Sequence, residues 1–200
     1  MLKLAGELLE GQLADHMVDL DAHMADIFQT PRTGAYLYGY PIDAHNTAAL
    51  TANELLAGAF FIARPLTIDR IAINVSSAGA TGKKARLGIY ANGTNNYPGS
   101  LVLDAGTVDV DSTGVKAITI DQSLSKGIYW FVVNSDGTPS VRKGAYAASP
   151  IGIYEGDFSN YWYSAWYKSQ AYGALPAPFP SGGDRTRFGA WVLPRIASLD

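Results

Sequence analysis

The chain has no cysteine, few charged side chains and no long apolar run. Its 200 residues include 15 Lys and Arg, 18 Asp and Glu and 3 His, which gives a formal net charge of -3. Without cysteine there is no disulfide, no thiolate metal ligand and no cysteine nucleophile. Without clustered Lys and Arg the chain lacks the usual electrostatic footprint of nucleic-acid binding, and no apolar run approaches the roughly 20 residues of a membrane span. We therefore expect no nucleic-acid partner and no membrane insertion.

What is abundant is Gly and Tyr, with 21 and 12 copies. Together with Ser, Thr and Asn they are typical of turn-rich β-structure with a polar, weakly charged surface. A chain of this length can bury one good hydrophobic core and carry an appended element. Such a surface suits contacts with protein or glycan.

Residues 1–30 predict an N-terminal helix for oligomerisation or attachment. Residues 2–28 are rich in helix formers, and Pro31 follows them. Apolar residues recur in heptad spacing, at Leu13, Met17, Leu20, Met24 and Ile27. This pattern predicts self-association through the helix, although a single amphipathic helix lying on its own domain stays open.

The helix flanks offer one polar contact between copies. If Met17 occupies position a, His16 falls at g and Asp21 at e, so His16 of one helix can meet Asp21 of the next. Two or three heptads interrupted by glycine are too short to hold a coiled coil unaided. We therefore expect the rest of the chain to help form a homo-oligomer, with a trimer as the expected state.

Layered His16 and His23 rings could bind a metal, but such positions are more often solvated, and we predict no metal site.

Residues 31–50 mix Pro, Gly and Tyr without a helical period and predict an extended connector. From residue 51 to residue 200 the pattern changes to β-branched and aromatic runs separated by Gly, Asn, Asp and Pro, which predicts a β-sandwich domain. The stretch at 51–60 is ambiguous. Thr51 and Glu54 are spaced like a capping box, yet we favour a strand over about 54–63.

Two runs carry finer predictions. In "LTIDRIAINV" strict alternation places Ile68 with Arg70 on one face and Ile71 on the other. The run "GIYWFVV" is apolar on both faces, so it predicts a central strand covered on both sides.

Three stretches within residues 50–141 resemble β-sandwich domains of tailed-bacteriophage tail fibres, head fibres and decoration proteins. They are "LTIDRIAINVSSAG", "ARLGIYANGTNNYPGSLVLDAGTVDVDSTGVKAITI" and "LSKGIYWFVVNSDG". The resemblance implies a mainly β, jelly-roll-like antiparallel sandwich behind an N-terminal segment that attaches or trimerises. It also implies a location on the phage particle, at the tail or capsid, with other virion proteins as partners.

An aromatic segment at 154–172 is the candidate binding surface. It holds Tyr161, Trp162, Tyr163, Trp166, Tyr167 and Tyr172, with Asp157 and Asn160 beside them. If 160–167 is one strand, Tyr163 and Tyr167 share one face and Trp162 and Trp166 the other. The rings could stack on the sugars of a host surface glycan, or pack against the sheet or a neighbouring subunit. Residues 172–183, rich in Pro and Gly, predict a surface excursion that either presents these rings or wraps an adjacent subunit.

Acidic residues suggest two further sites, neither favoured. Glu155 and Asp157 have the chemistry of a glycosidase pair, but their spacing does not establish one, and we expect no enzyme activity and no cofactor. Asp109, Asp111 and the turn at 134–137 carry oxygen ligands suited to calcium, yet they are ordinary turn chemistry. The favoured hypothesis is therefore a non-enzymatic virion subunit that projects a β-sandwich. A glycan-binding module is the alternative, and a polysaccharide-degrading enzyme is less favoured than either.

Overall fold

The computed structural model describes residues 31–37, 45–144, 163, 165–186, 189 and 192–199. The predicted helix at 1–30 lies outside these residues, so nothing tests it. Over the described residues the fold is mainly β, and its sheets are antiparallel. This agrees with the predicted β-sandwich class.

Eleven strands are present in the described parts of the chain. They are β1 (His45–Ala49), β2 (Glu54–Ile62), β3 (Leu66–Ser77), β4 (Lys84–Asn92), β5 (Pro98–Asp109), β6 (Gly114–Leu124), β7 (Gly127–Ser135), β8 (Ser140–Gly144), β9 (Ala165–Ser169), β10 (Asp184–Thr186) and β11 (Leu193–Leu199). One short 3-10 turn, Thr94–Asn96, precedes β5. The β-branched and aromatic runs of the sequence thus become strands, because these side chains pack well on a pleated surface.

The strands form two sheets. The first sheet has five strands in the order β1-β8-β3-β11, with β6 also paired to β3. The second sheet has six strands in the order β10-β9-β2-β7-β4-β5. Consecutive strands often change sheet, so most pairings join segments that are distant in the chain.

One continuous core lies between the two sheets. Ile71 and Ile73 of β3 in the first sheet belong to the same buried cluster as Leu87 and Ile89 of β4 and Phe131 of β7 in the second. Fully burying one such side chain contributes about 1.5–3 kcal/mol relative to leaving it in water. The two sheets are therefore held together mainly by this interlayer packing.

A bulge in β3 overturns the predicted alternation of that strand. Ile68 and Ile71 both belong to the interlayer core, although strict alternation places them on opposite faces. Against β11, Arg195 pairs with Arg70 and the next residue, Ile196, pairs with Ile68, so β3 carries one extra residue at this point. The intervening Asp69 accepts a hydrogen bond of 2.8 Å from Arg195 Nε, and the same guanidinium lowers the pKa of the Asp69 carboxyl. The prediction that Ile68 shares a face with Arg70 is wrong, because one bulge resets the period of two.

The two other strand predictions are confirmed. β2 covers Glu54–Ile62, so the ambiguous stretch is a strand and not a helix. β7 lies between β2 and β4, and its residues from Trp130 to Ser135 are buried. Phe131 belongs to the interlayer core, whereas Trp130 belongs to a second buried cluster on the other side of the sheet. β7 is thus central and covered on both faces.

Part of the predicted connector belongs to the β-structure. Gly34 N donates to Ile196 O at 2.8 Å, and Leu37 N donates to Pro194 O at 2.9 Å, so residues 34–37 line the free edge of β11. β1 also lies within the predicted connector and pairs with β8. The backbone is extended there, as expected, but its hydrogen bonds are made to the sheet.

Candidate functional site

The predicted site residues divide between described and undescribed parts of the chain. Tyr163, Trp166, Tyr167 and Tyr172 are described. Outside the described residues lie Glu155, Asp157, Asn160, Tyr161 and Trp162 of the aromatic segment, and Leu13, His16, Met17, Leu20, Asp21, His23, Met24 and Ile27 of the predicted helix. The geometry below therefore concerns the C-terminal half of the aromatic segment.

The four described rings do not form one surface row. Trp166 pairs in register with Ala57, and both belong to the cluster on the outer face of the second sheet. Tyr163 packs on that same cluster, while Tyr167 lines the space between the sheets. The strand begins at Ala165, and so Tyr163 lies outside it. The predicted pairing of Tyr163 with Tyr167 on one face is therefore wrong.

The indole of Trp166 makes its contacts within the protein. Its Nε1 donates to Asn96 O at 2.8 Å, and its ring meets the Tyr97 ring edge-on with centroids 4.9 Å apart. Tyr97 contacts Phe179 in the same way, at 5.6 Å. Edge-to-face pairs of this kind add about 0.5–1.5 kcal/mol beyond their buried area. The described rings on this face therefore take part in the packing of the sheet.

Residues 170–183, which we call the arm, cover the outer face of the second sheet. Leu175 and Phe179 of the arm are buried in the cluster that contains Tyr90 and Trp130. Phe179 N donates to Gly99 O at 3.0 Å. The predicted excursion thus closes onto its own sheet.

Two tyrosine hydroxyls hold the proline-rich part of the arm. Tyr90 OH donates to Pro176 O at 2.6 Å, and burial raises the pKa of this phenol. Tyr97 OH donates to Pro180 O and accepts from Gly183 N. Proline lacks an N–H, so the arm cannot pair as a regular strand here. Side-chain donors from the sheet satisfy its carbonyls instead.

The start of the arm is anchored by Asn53, which has a left-handed backbone with φ 60°. Asparagine tolerates this conformation better than most residues. Asn53 O accepts from Gln170 N at 2.8 Å, and its Oδ1 accepts from Tyr172 N at 3.0 Å. Asn134 Nδ2 adds a donor to Gln170 O at 3.1 Å. One turn residue thus positions the entry to the arm.

A polar cluster lies beneath the first residues of the arm. Arg86 Nη1 lies 3.5 Å from Asp104 Oδ1, and Asp104 Oδ2 accepts from Leu175 N at 3.0 Å. Arg86 Nε, Asn134 Oδ1 and the Tyr172 hydroxyl are buried and make no hydrogen bond within the protein. Burial also raises the pKa of the Tyr172 phenol. Buried polar groups of this kind commonly hold ordered water, which gives the cluster a structural role.

A groove of about 330 Å³ opens at the end of the interlayer space where β1 faces β9 and β10. The first sheet lines it with Ala48, Ala49, Val141 and Lys143, and the second sheet with Glu54, Leu56, Tyr167, Arg185 and Thr186. Leu50 and Thr51, between β1 and β2, complete the lining. Its volume lies at the lower end of the range for small-molecule sites. The groove is therefore large enough for a ligand of monosaccharide size.

The groove brings together an ammonium and a carboxyl group from opposite sheets. Lys143 is only 5% exposed and shares the inward face of β8 with Val141. Glu54 shares the inward face of β2 with Leu56, and burial raises the pKa of its carboxyl although a hydrogen bond with Thr51 opposes the shift. Lysine is rarely buried to this extent without a polar partner. The groove is therefore lined by a hydrogen-bond donor, Lys143, an acceptor, Glu54, and the ring of Tyr167.

The acidic turn residues are occupied by protein contacts. Asp109 pairs with Lys84, which lowers the pKa of the Asp109 carboxyl. Asp111 Oδ2 accepts from Gly82 N at 3.2 Å, and Asp136 Oδ1 accepts from Lys84 N at 2.7 Å. Across the described ranges no three His, Cys, Asp or Glu side chains gather in a way that could hold a metal ion. These carboxylates act as turn and ion-pair groups.

No family model matches the chain, and neither a curated protein nor a solved structure matches it. The resemblance to bacteriophage sandwich proteins thus stays a prediction. In the part of the chain that the structure describes, no helix is long and apolar enough to cross a membrane.

Sequence reasoning missed the groove. Glu54 entered only as part of a capping box, and Lys143 was not singled out. A signal was present in "SVRK", because a period of two that buries Val141 also turns Lys143 inward. What the sequence could not show is that this lysine faces Glu54 and Tyr167, which lie on the other sheet.

Proposed function

We propose that the chain is a non-enzymatic structural subunit of a bacteriophage particle, a fibre or decoration protein that forms homotrimers. In this proposal the helix at 1–30 bundles the copies or attaches them to other virion proteins. The β-domain projects outward from the tail or the capsid, and no cofactor takes part. The proposal combines the resemblance stated from the sequence with the strand order described above.

The observation that carries the proposal is the order of the first eight strands. In the first sheet β1, β8, β3 and β6 are neighbours in that order, and in the second sheet β2, β7, β4 and β5 are neighbours in that order. Two interleaved four-stranded sheets of this order are what a jelly roll would give, and we take this as support for that finer class. Jelly rolls are common in viral capsid and lectin domains. The strand order thus supports the finer fold class and, through it, the virion role.

The closure of the second sheet also favours a structural role. The arm buries Leu175 and Phe179 on its outer face, and Trp166 donates its indole N–H to Asn96. A sheet covered in this way is a self-contained module that can be displayed on a stalk. The alternative, a glycan platform on the aromatic segment, then depends on Tyr161 and Trp162, which lie outside the described residues.

The trimer is tested by light scattering on a sizing column with the full chain. We expect a mass of three times 21.3 kDa. The double variant Met17→Asp, Leu20→Asp places two charges at heptad core positions and should give monomers. The double variant Ala22→Asp, Ala25→Asp adds the same charges at outer positions and should stay trimeric. A wild-type monomer would refute the trimer, and two trimeric variants would refute the role of the heptads.

The virion role needs a separate experiment. Phage particles purified from the culture that naturally expresses the gene are digested and analysed by mass spectrometry. Peptides of this chain should copurify with the particles through a density gradient at a constant ratio to the major capsid protein. Loss of the peptides during the gradient would refute the virion role, whatever the oligomeric state.

A further inference from the structure

The groove at the β1 edge combines features that restrict what it can bind. Its walls come from strands of both sheets and from the short connection between β1 and β2. The residues that line it alternate between apolar ones, such as Leu56 and Val141, and polar ones, such as Thr51 and Thr186. Pockets with a mostly rigid wall and a few convergent polar groups are the usual form of small-ligand sites.

The charge in the groove points to a ligand with one negative charge. Lys143 provides a buried ammonium with three N–H donors, so that a protein acceptor and a ligand carboxylate can both be held. The Arg185 guanidinium lies over the Tyr163 ring, 5.1 Å from its centroid, and Tyr163 packs on the outer face of the sheet. Arg185 also pairs in register with Trp166, which packs on that outer face, so we assign its charge to that face although Arg185 is one of the residues that line the groove. A doubly charged phosphate would find only the Lys143 ammonium for its two negative charges. It would also lie near the Glu54 carboxyl group on the opposite wall, so a ligand with one negative charge fits better.

The wall that contains Glu54 and Thr51 is suited to a ligand with hydroxyl groups. Glu54 and Thr51 both line the groove, and the carboxyl and hydroxyl oxygens each have acceptor capacity for a ligand. Tyr167 lines the groove with an aromatic ring, which suits the C–H face of a sugar. A ligand that satisfies both walls therefore carries a carboxylate at one end and hydroxyl donors at the other.

We propose that the groove between β1 and β9 binds a sugar acid, with the carboxylate held by Lys143, the hydroxyls held by Glu54 and Thr51, and the ring placed against Tyr167. The chemical class is a hexuronic acid, either free or as the terminal unit of a polysaccharide. This site is separate from the Trp166 face of the aromatic segment, because Tyr167 and Trp166 lie on opposite faces of β9. It requires no catalysis.

The test uses the full chain and isothermal titration calorimetry with sodium glucuronate, glucose and inorganic phosphate as probes. Glucuronate should bind, and glucose and phosphate should bind at least about tenfold more weakly, because each lacks one of the two recognised features. A short glucuronan oligomer then separates the two sources. Binding as tight as that of the monomer or tighter points to the end of a polymer, and no binding of the oligomer points to a free acid.

The matched variants are Lys143→Met and Arg142→Met, which remove one cation each from the same strand. Lys143 lines the groove, whereas Arg142 is exposed on the opposite face. Lys143→Met should weaken glucuronate binding at least about tenfold, the scale of losing a charged hydrogen-bond partner, and Arg142→Met should leave it unchanged. Equal effects of the two variants would mean nonspecific attraction and would overturn the proposal.

A steric variant keeps the proposal testable if Lys143→Met fails to fold. Ala48 lines the groove from the edge strand β1 and pairs in register with Val141, so its side chain shares the inward face and Ala48→Trp should fill the groove. Its circular dichroism spectrum should match that of the wild type, and glucuronate binding should be lost. Binding that persists in folded Ala48→Trp, or no binding of glucuronate to the wild type, would overturn the proposal.

Discussion

Gly88 lies directly beneath Leu175, and a Cβ atom on Gly88 would come within 2.2 Å of Leu175 Cδ1. The same atom would lie 2.5 Å from the carbonyl oxygen of Leu103. The Leu175 side chain can rotate away, but the Leu103 carbonyl belongs to β5 and cannot move freely. The close seating of the arm on the second sheet therefore depends on a residue without a side chain in β4.

Replacing Gly88 tests this contact. Gly88→Ala should lower the free energy of unfolding by about 1–3 kcal/mol, because it overpacks the interface between the arm and the sheet. Gly173→Ala is the matched control, since a Cβ there meets no atom within 4 Å. Urea unfolding followed by tryptophan fluorescence measures both. If the two variants unfold at the same urea concentration, the arm is not seated as described.

Removing a tyrosine hydroxyl should change the stability of the protein differently at Tyr90 and at Tyr172. Tyr90→Phe removes the hydrogen bond to Pro176 O and should destabilise the protein by about 1 kcal/mol. Tyr172→Phe removes a buried hydroxyl that has no partner within the protein, so it should be neutral or stabilising. Thermal unfolding of the two variants under one condition is the measurement. A larger loss for Tyr172→Phe would place the important hydrogen bond in the polar cluster instead.

Trp166 provides a test of packing against sugar binding. Trp166→Ala should destabilise the protein by roughly 3 kcal/mol, because it removes the contact with Tyr97 and the hydrogen bond to Asn96 O. Val115→Ala is the control for an exposed apolar side chain, since Val115 is 60% exposed, and its effect should stay within about 0.5 kcal/mol. Denaturant unfolding compares the two. Wild-type stability of Trp166→Ala would instead favour the glycan platform.

Glu54 predicts a pH dependence of stability. Burial raises the pKa of its carboxyl in the folded protein, so the folded protein holds this proton more tightly than the unfolded chain. The free energy of unfolding therefore falls as the pH rises from the unfolded pKa through the folded pKa, and this loss persists at higher pH. Glu54→Gln should be more stable than wild type at pH 7.

The control for this prediction is the same comparison in acid. At about pH 3.5, below the usual range of a glutamate, the wild-type carboxyl is protonated in both states, and the advantage of the variant should disappear. Unfolding curves of wild type and Glu54→Gln across this range measure the difference. A constant offset at all pH values would show that the substitution acts through packing and not through the charge.

Much of the strand content could be predicted from local pattern. The run at 127–133 is apolar on both faces, and it is the central strand β7. The sequence favours a strand over about 54–63, and β2 covers Glu54–Ile62. Such patterns succeed because burial on one or both faces of a sheet leaves a direct trace in the sequence.

The errors have a different origin. The alternation at Ile68 failed because a bulge at Asp69, paired with Arg195, depends on a strand more than a hundred residues further along the chain. For the aromatic segment the sequence left sheet packing and glycan contact both open, because its pattern shows ring spacing but not ring contacts. Trp166 finds its partners, Tyr97 and the Asn96 carbonyl, in a turn that the sequence places far away.

By itself the sequence determined the class of the fold, the position of its central strand and the absence of thiol chemistry, because composition and period act locally. Only the tertiary structure decided that the proline-rich arm closes onto its own sheet, and that Lys143 and Glu54 face one groove. Those relationships join residues from different sheets and distant parts of the chain. They are set by which strands become neighbours, and no local pattern contains that information.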